Sequence, residues 1–140
     1  MKSLFNSHPK STVFLFAAFI ALLVMACGGG NQQKAQKEKL RDVKETTNMQ
    51  LQELKKDIEQ RIEYVDEQIE VASGELEENL KEVRSELKQQ QELIEKEMEN
   101  VKNATIETWD GVLSNLRTNY QSARTKMNEA SKNVREWLED

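Results

Sequence analysis

Apolar positions recur along this chain at steps of three and four from Leu40 to Leu138. The stripe runs through Leu40, Val43, Thr47, Leu51, Leu54, Ile58, Ile62, Val65, Ile69 and Ala72, then Leu76, Leu80, Val83, Leu87, Ile94, Met98 and Val101. It closes with Trp109, Val112, Leu116, Tyr120, Ala123, Met127, Ala130, Val134 and Leu138. Such spacing places one apolar face on an α-helix. The residues between are mainly Glu, Lys, Gln and Arg, all good helix formers, and no proline falls after Pro9. The fold class read from this pattern is all-α.

The period is close to 3.6. A step of 18 links Leu40, Ile58, Leu76, Ile94, Val112 and Ala130, and the same step links Ile62, Leu80, Met98, Leu116 and Val134. Eighteen residues make five turns of an ordinary helix, which predicts a long, nearly straight amphipathic helix or coiled-coil body over residues 34–140. That form would be on the order of 160 Å long at 1.5 Å per residue. Ser73-Gly74 and Asp110-Gly111 are turn signals that allow an alternative, a helical hairpin or three-helix bundle with arms 34–72, 76–109 and 112–140. The unbroken 18-residue phase favours the long helix. So does the lack of a capping box after Ser73, where Leu76 stands in place of Glu. An isolated helix cannot hide its stripe, because helices are stabilised mostly by packing that face. The extended form therefore requires self-association or a protein partner, whereas the bundle would cover the stripe itself.

The first residues follow a different rule. "MKSLFNSHPK" is basic, an apolar run extends from Val13 to Met25, and the run ends in Val24-Met25-Ala26-Cys27. A basic start, an apolar run of about 7–15 residues and small residues at its end describe a secretory signal peptide. The run is too short to span a bilayer, which takes about 20 apolar residues. Its last four residues resemble the lipobox of bacterial lipoproteins. That resemblance covers residues 1–27 and implies acylation of Cys27, the single cysteine, with cleavage before it. The expected organisation is a signal peptide at 1–26, a lipidated Cys27 with a glycine-rich tether through residue 33, and a helical body over 34–140. Two or three acyl chains hold a protein on a membrane far better than one. Gly28, in place of Asp, points to the outer membrane of the cell envelope by analogy with enteric sorting rules.

Charge and residue types narrow the function. Residues 34–100 carry 12 basic and 19 acidic side chains, whereas residues 101–140 carry 6 of each. The acidic excess argues against nucleic acid, which requires a basic footprint. Downstream of Cys27 the chain has neither His nor a second Cys, so no zinc site and no Cys/His or Ser/His nucleophile pair is expected. No glycine-rich phosphate loop is present, and no cofactor or small-molecule substrate is implied. A carboxylate-based hydrolase would need a pocket to shift its acids, which a rod does not supply. Trp109, Tyr120 and Trp137, in the more neutral C-terminal part, are the candidate partner contacts.

The body also resembles small bacterial helical proteins associated with stress, through "ETWDGVLSNLRTNYQSARTKMNEA" at residues 107–130. Its plan is similar to the lipid-anchored helical lipoproteins of the enteric outer membrane, without their terminal lysine. The stripe resembles apolipoprotein helices as well. Together these readings describe a non-catalytic, lipid-anchored envelope protein serving as helical scaffold, spacer or interaction rod. An amphipathic, stress-protective module binding lipid surfaces is the alternative.

Overall fold

A computed structural model of the chain describes residues 30–139. All regular structure among them is helical: α1 is Gly30–Val71, α2 is Glu75–Asn103 and α3 is Trp109–Glu139. The first helix begins inside the segment read as a tether. The chain divides into two compact units, Met1–Glu45 and Thr46–Asp140. Within the first, residues 30–45 form the opening turns of α1. The second holds the rest of α1 with α2 and α3.

Of the two all-α arrangements, the bundle is the one found. Arg84 pairs with Asp66 at 2.5 Å, Gln91 Nε2 donates to Glu59 Oε1 at 3.0 Å, and Lys55 Nζ meets Glu95 Oε1 at 2.8 Å. Each step back along α1 is matched by an equal step forward along α2, so the two helices are antiparallel and in register. Asn119 of α3 donates to Glu97 of α2 at 2.7 Å. Arg61 of α1 donates to the Ser131 hydroxyl of α3. The third helix therefore returns antiparallel to α2 and parallel to α1, the up-down-up order of a three-helix bundle.

The period inside each helix is not 3.6. Buried positions in α2 are Leu80, Val83, Leu87, Gln90, Ile94, Glu97 and Val101, alternating steps of three and four. In α1, Leu51, Ile58 and Val65 lie seven apart, as do Leu116, Ala123 and Ala130 in α3. This is the 3.5-residue repeat of helices packed at a shallow left-handed angle. Each break adds one residue to the heptad count, turning 35 residues into 36, and the average becomes 3.6. The 18-residue phase is thus the sum of heptads and breaks, and not the mark of one straight helix.

The breaks have separate causes. At the first, Gly74 takes φ 63°, ψ −136°, a region open essentially to glycine alone. Three glutamates in the first turn, Glu75, Glu77 and Glu78, complement the positive end of α2. The second break lies at 104–108, upstream of Gly111, which is already helical. Ala104 is extended and buried there. The Thr105 N–H donates to Thr108 Oγ1 at 2.9 Å, and the Thr108 carbonyl accepts the first α3 bond from Val112 N at 3.0 Å. Threonine hydroxyls compete with the helix for backbone partners, so Asn103-Ala104-Thr105 works as a turn.

Candidate functional site

The bundle covers its stripe. Leu51, Ile58, Leu80, Ile94, Leu116 and Ala123 are wholly buried. The larger apolar side chains left exposed are Met49, in the middle of α1, Val71 and Leu138 at helix ends, and Ile106 in the second break, all within the Thr46–Asp140 unit. By register, Met49 and Ile106 belong to one end of the bundle, and Val71 and Leu138 to the other.

Polar groups enter the core at heptad positions. Glu97 is 3% exposed: Oε1 accepts the Asn119 amide, while Oε2 is buried without a hydrogen-bond partner. Gln90, one heptad position before it, is buried with Oε1 unpartnered. Arg61 holds the α1 heptad position between Leu54 and Gln68. Burial lowers its basicity, and the nearby Arg124 charge adds to that, against the opposing Asp57 carboxylate. A guanidinium remains charged in any protein, so the cost of desolvation is carried by its bonds. Ser131, its acceptor, in turn donates a hydrogen bond from its hydroxyl to the Met127 carbonyl at 2.8 Å.

The candidate contact residues separate. Trp109 is 2% exposed and starts α3 as a core residue, its indole Nε1 buried without a partner. Tyr120 and Trp137 are half-buried on the same helix, nearly five turns apart. No common patch gathers the three aromatics. Burial raises the Tyr120 phenol above its ordinary value of 10.0, Glu53 and Asp57 push it the same way, and Arg124 opposes them. The hydrogen bond to Glu95 raises the Lys55 ammonium above 10.5.

These two groups set an alkaline limit. Folding favours the neutral phenol and the charged ammonium, so both contributions are complete below about pH 10. Both are lost as pH climbs through the folded-state values. The melting temperature is expected to hold between pH 7 and 9 and fall above pH 10. Tyr120→Phe should shrink the fall, and an unchanged profile would mean that the phenol titrates as in water.

Among the described residues, no group of three or more His, Cys, Asp or Glu side chains is arranged to hold a metal ion, and no helix is long and apolar enough to cross a membrane. Cys27 lies outside the described residues. Sequence reasoning missed Gln90 and Glu97 as interior groups and the half-buried Arg61, although each lies three or four residues from apolar core positions. A grid of sevens drawn from Leu80 and Val83 would have found the first two. The 3.6 grid chose Met98, which is half-buried, over its neighbour Glu97. Comparison with known proteins gives no match: no protein-family model, no curated protein and no solved structure is similar to the chain.

Proposed function

We propose that this chain is a non-catalytic, lipid-anchored helical protein of a bacterial cell envelope, tethered through Cys27, with the outer membrane as its site. The observation that carries this reading is the apolar run Val13–Met25 ending in Val24-Met25-Ala26-Cys27. The helical body serves as a scaffold or spacer module displayed at the membrane surface. Because the three helices cover their own stripe, partners meet the charged outer faces or the apolar bundle ends, in place of a long exposed seam. The interior contains heptad layers and isolated polar groups, which supports a structural role over a catalytic one.

Expression of Cys27→Ser in a bacterial host tests the anchor. Wild type should incorporate labelled palmitate and sediment with membranes, whereas the variant should lose the label and accumulate as precursor. Equal labelling and unchanged fractionation of the variant would refute it.

A lipid-surface module, resembling apolipoprotein helices, is the second reading. The polar core positions Gln90 and Glu97 favour it, since a core holding unpartnered polar atoms opens at lower cost. Flotation of Cys27→Ser on neutral and anionic vesicles decides this reading, and absence of binding to both ends it.

A further inference from the structure

We infer that the α1–α2 turn is a hinge, and that a second copy of this chain is the partner its opening admits, by exchange of α1 between two bundles. The inference is independent of how the chain is anchored. Three observations concern the first break, and a fourth sets the second break apart from it.

The turn is weakly held. Helical bonding persists to Ala72 N, which donates to the Gln68 carbonyl at 3.0 Å, and resumes with Glu78 N donating to the Gly74 carbonyl at 3.3 Å. Between them, the backbone N–H groups of Ser73 to Glu77 find no backbone acceptor. No side chain caps the start of α2. Straightening the turn would give each of the five an acceptor four residues back, as in any helix interior.

The one positive φ among the described residues lies in this turn. Gly74 holds the positive φ of the turn, and a Cβ added there would meet nothing within 4 Å. Its requirement is conformational, not spatial.

The apolar phase is already suited to the straight form. Ile58, Leu76 and Ile94 are 18 residues apart, five turns of a straight helix, so the faces of α1 and α2 would fall in line. Ala72 and Leu76 are half-buried beside the turn and would fill the seam across it. The joined helix over residues 46–103 would be roughly 85 Å long at 1.5 Å per residue. Its face would be bare unless a copy covered it. An antiparallel second copy restores every α1–α2 pair of the closed bundle, Asp66–Arg84 and Lys55–Glu95 included, now between chains. Exchange of an identical element is a low-cost route to a dimer.

The second break is not built to open. There Ala104 is buried, its N–H donates to the Val101 carbonyl at 3.3 Å, and Thr105 and Thr108 bond each other. The α2–α3 hairpin therefore stays closed and receives the partner's α1 as it does its own.

The test is refolding of the full chain from denaturant at micromolar to millimolar concentration, with the dimer fraction read by sedimentation. Alanine at position 74 is strained in the turn and preferred in a helix, and two hinges act per dimer. Gly74→Ala should lower the half-dimer concentration by about a hundredfold or more. The dimer should dissociate only when the bundle unfolds. Gly111→Ala, at an unhindered helical position, should not shift the half-dimer concentration, and four glycines inserted after Ser73 should raise it, since a flexible loop closes without strain. The apolar run 13–25 is common to all variants, so association through it leaves these ratios unchanged. A dimer fraction for Gly74→Ala equal to wild type overturns the inference, as does an insertion variant that dimerises as readily as Gly74→Ala. Should Gly74→Ala fail to fold, wild type against the insertion decides: a wild-type dimer that the insertion weakens supports exchange, and equal behaviour overturns it.

Discussion

Ile94→Ala should destabilise the Thr46–Asp140 unit by about 2–5 kcal/mol, the range for truncating a wholly buried large aliphatic residue. Ile94 has no exposed surface and stands about two thirds of the way along α2. The register places it level with Ile58 of α1 and Ala123 of α3, both also at zero exposure. Because the α3 neighbour is an alanine, no long side chain there can swing into the space, and the loss should fall in the upper part of the range. For a unit of this size the melting temperature would drop by roughly ten degrees or more. Thermal unfolding followed by circular dichroism measures it. A drop of only a degree or two would mean that the three helices are not packed at that level. Leu138→Ala provides the contrast, since that side chain is 39% exposed and its truncation should cost little.

The second large effect concerns the charge inside the bundle. Asn119→Ala removes the one hydrogen-bond donor to a carboxylate that is 3% exposed. Leaving a buried acceptor without its partner costs about 1–3 kcal/mol, and more for a charged group. Replacing both residues, Glu97→Leu with Asn119→Leu, removes the polar requirement, and an apolar exchange of that kind is often neutral or stabilising. The denaturation midpoint should therefore fall in Asn119→Ala and return to wild type or above in the double variant. A midpoint unmoved by Asn119→Ala would show that Glu97 reaches water. The pair also joins α2 to α3, and a buried polar residue can specify register in helices packed this way. The double variant should be more stable and less uniquely aligned.

How much of this was legible in the sequence depends on which residues are considered. The stripe through Leu51, Ile58, Leu87, Ile94 and Leu116 states the helical class directly, because apolar spacing of three and four has one physical meaning. The turn at Ser73-Gly74 was legible from the glycine as an option. Choosing it over a continuous helix required knowing that Gly74 adopts a positive φ, and the 18-residue phase pointed the other way. That phase misled because 3.5-residue packing with one added residue per break averages to 3.6. The second break was displaced from Gly111 to 104–108, since the signal lay in two threonines whose hydroxyls bond within the turn. Glu97 and Gln90 were hidden for a different reason: a polar residue on a heptad grid reads as a gap in the stripe, although packing draws it inside. The aromatic grouping of Trp109, Tyr120 and Trp137 followed from composition alone. Three side chains spread along one helix from core to half-exposed positions do not make a surface. The lipobox-like pattern Val24-Met25-Ala26-Cys27 is of another kind, since it depends on local sequence and not on packing, and it lies outside the described residues.

The closed α1–α2 hairpin is the central claim, because it decides whether the apolar stripe is available to partners. The measurement that tests it most directly is the distance between spin labels at Gln60 and Gln89, both exposed, in a Cys27→Ser background diluted with unlabelled protein at low micromolar concentration. Neighbouring helix axes lie about 8–10 Å apart, so labels at matched levels of the antiparallel pair should give a short distance of roughly 15–25 Å. A distance near ~44 Å, the rise of 29 residues along one straight helix, would contradict the closed hairpin and return the stripe to the surface as the place where partners bind.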